Sequence, residues 1–282
     1  MSTDTVVIAG CGDLGTSLGQ TLAAEGARVY GIRRRSEPLP EPLITVQADF
    51  SAPESLRDLP ASIDRLYYLA TPSRYDDDAY RATYVDGLRN LLAALPQPPR
   101  RLVFVSSTTV YGQLDGGWVD EDSEAAPASF SGRRMLEAER LAQQSGIPSV
   151  IVRFGGIYGP GRERMLRKVR AGEPCPDQPP LYTNRIHRYD CVAALAHLGR
   201  PQVEPGIYLG VDDEPCSQCE LMDWLAARLQ LPAPPRRRGE PGGLRGSNKR
   251  CRNDKLKATG FRFRYPSYRE GYGALIEAAA KP

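Results

Sequence analysis

No lysine precedes Lys168 in this chain of 282 residues, and only two histidines, His187 and His197, occur anywhere in it. Chemistry housed in the first half must therefore work without an amine, and positive charge there is carried by arginine. No stretch approaches the roughly eighteen apolar residues that span a bilayer, which argues against a membrane partner. The start, Met1-Ser2-Thr3-Asp4, has neither the basic nor the apolar part of an export signal, so a cytoplasmic protein is expected. The six cysteines are scattered (Cys11, Cys175, Cys191, Cys216, Cys219 and Cys251) and in that setting read as free thiols. Cys216 and Cys219 have the spacing of half a zinc site or a redox pair. No second pair or ligand set accompanies them, so no metal is expected, and two thiols at a helix start is the plainer reading.

Charge imbalance is small as well. A formal net charge of +3 gives no reason to expect nucleic acid as a partner. The basic residues do concentrate between Ala233 and Lys257, where nine arginines and lysines meet only Glu240 and Asp254. Pro234-Pro235 and Gly242-Gly243 in the same stretch predict a loop, either solvated or anion-binding. Hydrophobic residues at 41% and charged residues at 25% are the balance of a globular protein.

The organisation is clear in the first half. Thr5 to Ala9 is a short β-branched apolar run, as a strand buried on both faces requires. Similar runs recur at Ala27 to Ile32, Leu66 to Ala70, Leu102 to Ser106 and Val150 to Arg153. Helical patterns lie between them at Thr16 to Glu25, Ala82 to Leu95 and Met135 to Ser145. This alternation predicts an α/β fold, a Rossmann doubly wound parallel sheet covered on both faces. After Tyr158-Gly159-Pro160-Gly161 arginine and proline rise and strand runs thin out. Residues 1–160 are therefore read as a nucleotide-binding domain and 161–282 as a smaller, interleaved α/β substrate lobe. Ile207 to Gly210 is a candidate strand returning to the main sheet, and Gln218 to Leu229 a helix.

Gly10-Cys11-Gly12-Asp13-Leu14-Gly15 fits Gly-x-Gly-x-x-Gly directly after a strand and before a helix. Gly10 permits the tight turn, Gly12 lets the backbone approach a pyrophosphate, and Gly15 lets helix and strand pack closely. The pyrophosphate would sit on unpaired N–H groups at the positive end of the helix, with Asp13 and Leu14 in the same turn. The end of the second strand separates NAD from NADP. An acidic residue usually binds the ribose hydroxyls there, whereas this chain has Arg33-Arg34-Arg35. Arginine suits a 2′-phosphate, so NADP is preferred over NAD, although the three arginines also begin a solvated loop. Asp49 and Phe50 are placed near the adenine, and Ala70-Thr71-Pro72 near the pyrophosphate.

Several segments together resemble the extended short-chain dehydrogenase/reductase superfamily, within its NAD-dependent epimerase/dehydratase group. They are the glycine loop, Leu69-Ala70-Thr71, Ser106-Ser107-Thr108-Thr109-Val110-Tyr111-Gly112, Val119-Asp120-Glu121, and Arg153-Phe154-Gly155-Gly156-Ile157-Tyr158-Gly159-Pro160-Gly161. Asn184-Arg185-Ile186-His187 and the segment Tyr265 to Gly271 look like an atypical bacterial branch of that group. The resemblance implies that Ser107 hydrogen-bonds the reacting oxygen, with Ser106 beside the cofactor. It also implies a tyrosine that moves a proton and, four residues on, a lysine that assists it. Counting back from Ala138-Glu139 puts Ser131 at the tyrosine position and Met135 at the lysine position. No tyrosine lies between Tyr111 and Tyr158, and no lysine lies in that interval. Thr108-Thr109 stands where dehydratases of the group have Asp-Glu, and Gly156 where sugar-nucleotide enzymes often have asparagine.

Other side chains could take over these roles. Tyr111 or Tyr158 could supply a phenol or be structural. Arg133 or Arg134 could supply charge. His187 could orient a ligand, act as acid or base, or be a satisfied histidine beneath a loop. Arg162, Arg164 and Arg185 could receive an anionic substrate or be surface charge. Two readings follow. One is an NADP(H)-dependent oxidoreductase or epimerase of atypical mechanism on a small carbonyl or sugar-like substrate, with homodimers expected by analogy. The other is a catalytically silent NADP(H) sensor that passes its state to a partner.

Overall fold

The computed structural model describes residues 4–239 and 247–280. β1 (Thr5–Ala9) is enclosed from Val6 onward, as its apolar sequence requires. It lies parallel to β2 (Arg28–Arg33) on one side and β4 (Arg65–Tyr68) on the other. β3 (Ile44–Gln47) extends the sheet beyond β2, and β5 (Arg101–Ser107) extends it beyond β4. The strands Ser149–Phe154 and Gly206–Gly210 then complete seven, the latter at the edge where the sequence placed a returning strand. The chain leaves β1 for β2 and β3, then crosses back to β4 and β5. That reversal opens a crevice at the carboxyl ends of the strands, the usual ligand position in such sheets.

The chain divides into two compact units. The first comprises the residues up to Ser107 together with 130–152 and 192–207. It holds β1 to β5, α1 (Asp13–Ala24), and a helical run made of α2 (Asp77–Tyr80), a π-turn (Arg81–Asp86) and α3 (Gly87–Ala94). α4 (Phe130–Gln143) belongs to it as well. All three of these helical runs start earlier than the sequence pattern predicted. Asp76 caps α2, its carboxylate accepting the Ala79 N–H at 2.8 Å. The weak helix formers Ser131 and Gly132 are carried into α4 by Arg134, which bridges to Asp77 and Glu137.

The second unit comprises 108–129, 153–191 and the chain from Tyr208 on. Relative to a boundary at residue 160, 108–129 and 153–160 cluster with the second unit and 192–207 with the first. Tyr158 shows why, since it stacks on Tyr272 with ring centroids 4.4 Å apart, inside this unit's own core. Short strands pair here: Gly156–Tyr158 with Arg185–His187, and Cys175–Gln178 with Arg236–Arg238. The basic stretch expected as a loop is therefore partly regular. Besides Arg236–Arg238 it contains the strand Arg250–Cys251 and the helix Asp254–Ala258. Asp223 neutralises Arg236 with two contacts of 2.6 and 3.0 Å, which lets that strand settle. Gly242 and Gly243 lie outside the described residues.

The cysteine reading needs one correction. Cys175 and Cys219 form a disulfide, with Cα atoms 5.3 Å apart, because a strand start and the first turn of the helix Gln218–Arg228 meet in this core. Cys11, Cys191, Cys216 and Cys251 are buried thiols. Among the described residues no helix is long and apolar enough to cross a membrane.

Candidate active site

The glycine turn is built as its sequence demands. Gly10 has φ +91°, and a Cβ there would lie 2.4 Å from the backbone nitrogen of Ala70. The turn after β1 is thereby closed directly onto the segment after β4, which brings Ala70 to the glycine loop with Thr71 and Pro72 following it. A Cβ on Gly15 would meet the Gly10 carbonyl oxygen at 2.7 Å, so α1 packs on the turn only because that position is bare. Gly12 is different, for a Cβ there would meet nothing within 4 Å. Open space therefore faces the first turn of α1, whose N-cap supplies no side-chain hydrogen bond. Asp13 and Gly12 are exposed and Leu14 half-buried in that turn. A pyrophosphate fits this arrangement, with N–H groups and the helix dipole facing a space that no side chain fills.

At the end of β2, Arg33 is half-buried and reaches the exposed Glu37 at 3.4 Å, while Arg34 is exposed. A carboxylate thus does stand near Arg33, four residues on, as a loose surface pair that a phosphate could displace. Asp49 accepts both the N–H and the hydroxyl of Ser51, at 2.9 and 2.6 Å. Partial burial pushes its pKa up, but the Ser51 hydrogen bonds and Arg34 outweigh this and hold it below the ordinary value. Phe50 packs its ring 5.6 Å from that of Tyr68.

β5 ends in Ser106 and Ser107. Ser106 is buried and donates to Glu139 of α4, while Ser107 is half-buried. This contact ties α4 to the sheet, and Ser131, Gly132, Met135, Ala138, Glu139 and Ala142 are buried on that helix. The two positions read as replacing tyrosine and lysine therefore share one stripe with Glu139. Met135 is 5% exposed and brings no charge.

The remaining candidates lie in the second unit and are committed within it. Tyr111 donates to the Asp120 carbonyl at 2.6 Å and accepts from Arg153 at 2.8 Å. Tyr158 donates to the Ser267 carbonyl at 3.3 Å. Burial pushes both phenols well above the ordinary tyrosine range, so neither is poised to exchange a proton. His187 is enclosed by the rings of Tyr158, Tyr189 and Tyr265, the last only 4.1 Å away, and its Nδ1 accepts the Tyr189 N–H at 3.3 Å. Burial, with help from Arg264 and Arg188, lowers its pKa to about 4, so it stays neutral. Arg185 is buried rather than offered to a ligand. It donates to the sulfur of Cys216 at 3.3 Å and to Thr183, and lies over the Tyr268 ring. Arg162 is half-buried at a bridge with Gly159, and Arg164 is exposed at the start of the helix Arg164–Arg170.

One residue that the sequence reading missed stands beside Ser131. The Tyr75 hydroxyl, on the loop after β4, lies 3.3 Å from Ser131 Oγ. Nothing local marks it, since the two are 56 positions apart.

Comparison with known proteins agrees with this construction. Over 203 residues the chain is 29% identical to Protein YeeZ of Escherichia coli K12, covering 68% of this chain and 72% of that one. A candidate NAD-dependent epimerase/dehydratase from Methylobacillus flagellatus superposes with a TM-score of 0.81 at 39% identity, covering 99% of this chain and 100% of the other. MoeE5, solved with UDP-glucose and NAD, gives 0.76 at 25% identity over 98% of each chain. The model of the NAD-dependent epimerase/dehydratase family matches residues 6–194, two thirds of the chain. The protein belongs to the NAD-dependent epimerase/dehydratase family and is an NAD(P)-binding protein of that family.

Proposed function

We propose that the chain is an NADP(H)-dependent oxidoreductase or epimerase of non-standard mechanism, acting on a small carbonyl or sugar-like substrate. The observation that carries this reading is the glycine turn, closed on Ala70 at Gly10 and open to solvent at Gly12. The N–H groups from Asp13 to Gly15 would hold the pyrophosphate, with Ala70, Thr71 and Pro72 beside it. Arg33 and Arg34 would receive the 2′-phosphate, and Asp49 and Phe50 would flank the adenine. When bound, the nicotinamide supplies or accepts a hydride. Ser107, at the end of β5, would hydrogen-bond the reacting oxygen and stabilise negative charge there. The expected setting is the cytoplasm, with a small-molecule partner, no nucleic acid, and a homodimer as the assembly.

The test is a fluorescence titration with NADPH and NADH, followed by a screen of aldehydes and ketones for loss of nicotinamide absorbance. Tight NADPH binding with turnover supports the reading. Tight binding with no turnover across the panel favours the silent sensor, and no binding of either cofactor overturns both.

A further inference from the structure

We propose that Tyr75 is the proton donor of this protein, its phenol brought to the Ser131 hydroxyl by the loop that leaves β4. The inference rests on the oxidoreductase reading and identifies the acid which that reading lacks. The two hydroxyls are 3.3 Å apart, and Ser131 sits on the buried stripe of α4 that Glu139 ties to the end of β5. β1, β4 and β5 are adjacent and parallel, so the loop bearing Tyr75 emerges at the same end of the sheet as the glycine turn and Ser107.

The loop is held rather than free. The Tyr75 ring packs on Phe130 and Tyr80, with centroids 5.0 and 5.5 Å away. Directly after it, Asp77 takes two hydrogen bonds from Arg134 of α4, at 2.8 and 2.9 Å. The π-turn that follows Tyr80 is a departure from α-helix of a kind often found at functional sites. Tyr75 nevertheless remains 60% exposed, so both a ligand and solvent can reach it.

The chemistry balances. As the carbonyl carbon receives hydride, the carbonyl π pair moves to oxygen. The Oη–H bond of Tyr75 breaks, a new O–H bond forms on the substrate, and the phenolate recovers a proton from water. A phenol is a far stronger acid than the aliphatic hydroxyl of Ser131, which leaves Ser131 as a positioning residue.

The test uses full-length protein labelled with carbon-13 at tyrosine Cζ, the Tyr75 signal being assigned by its loss in Tyr75→Phe. NADP+ is expected to shift that signal, whereas the fragment 2′-phospho-ADP-ribose, which lacks nicotinamide, leaves it in place. In parallel, phenanthrenequinone reduction by NADPH is expected to fall about 100-fold or more in Tyr75→Phe with unchanged NADPH affinity. Ser131→Ala, which leaves the phenol but removes its anchor, is expected to show a smaller loss in kcat. An unmoved Tyr75 signal while other tyrosines report NADP+ binding would overturn the proposal and leave the cofactor reading standing. Equal rates in wild type and Tyr75→Phe, zero included, would overturn it too. If no tyrosine signal responds to NADP+ at all, the cofactor reading itself has failed, and the proposal with it.

Discussion

Glu139 accepts the hydroxyl of Ser106, a contact that ties the buried face of α4 to the end of β5. A hydrogen bond to a buried carboxylate contributes on the order of 2 kcal/mol, and losing the acceptor strands a buried hydroxyl. Glu139→Leu should therefore lower unfolding stability by about 2 kcal/mol in urea titration. Ser106→Ala should cost a comparable amount, because it takes a donor from the buried Glu139 carboxyl group. Equal stability in wild type and Glu139→Leu would mean that α4 is oriented by other contacts.

Gly12 and Gly10 should respond oppositely to substitution. A side chain at Gly12 meets no protein atom within 4 Å, so Gly12→Val should fold normally yet lose NADPH binding, as read by fluorescence titration. Gly10→Ala places a Cβ against the Ala70 backbone at a φ of +91°. It should destabilise the fold by several kcal/mol, on the order of 2–4. A Gly12→Val variant that binds NADPH as wild type does would remove the glycine turn from the cofactor site.

Two buried groups in the second unit give stability opposite slopes with pH. His187 titrates near 4 when folded against an ordinary 6.5, so between these values the unfolded chain binds a proton that the fold excludes. Its contribution is present above about pH 6.5 and is lost as pH falls toward 4. Asp212 is 1% exposed, and its Oδ2 has no hydrogen-bond partner among the described residues. Burial raises its pKa to about 8, from 3.8, despite the lowering influence of Arg185. The fold therefore holds a proton that the unfolded chain releases, and stability is lost as pH rises from about 4 through 8. Asp212→Asn mimics the protonated form. Melting temperatures should match near pH 4, with the variant gaining on wild type as pH rises to about 8 and keeping that lead above it. A constant offset at every pH would show that Asp212 does not titrate in this range.

The Cys175–Cys219 bond closes a loop with a sequence separation of 44. Chain-entropy arguments put the stabilisation from such a loop at up to about 4 kcal/mol. Cys219→Ser, or reductant added to wild type, should lower the melting temperature, and peptide mapping without reductant should find the two cysteines linked. Unchanged melting in reductant together with six titratable thiols would contradict the pairing.

The sequence revealed what depended on local pattern. β1, its glycine turn and the strands buried on both faces announce themselves as continuous apolar runs, and the edge strand at Gly206–Gly210 was legible for the same reason. Helix starts were not, because Ser131 and Gly132 are poor helix formers held in place by contacts from Asp77 and Tyr75, distant in the chain. Strands of two to four residues such as Tyr182–Thr183 and Cys175–Gln178 are too short for a period to emerge. The disulfide was hidden, since cysteine spacing does not determine connectivity. Tyr111 and Tyr158, the tyrosines nearest Ser131 in sequence, bond within the second unit, whereas the phenol beside Ser131 comes from a distant loop.

The measurement that bears most directly on the cofactor claim is a paired titration with NADPH and NADH, on wild type and on the Arg33→Ser, Arg34→Ser double variant. Charge-assisted hydrogen bonds to a 2′-phosphate should make NADPH bind wild type about tenfold or more tightly than NADH. The double variant should lose that difference by weakening NADPH alone. Equal or tighter binding of NADH by wild type would contradict NADP(H) as the cofactor of this site.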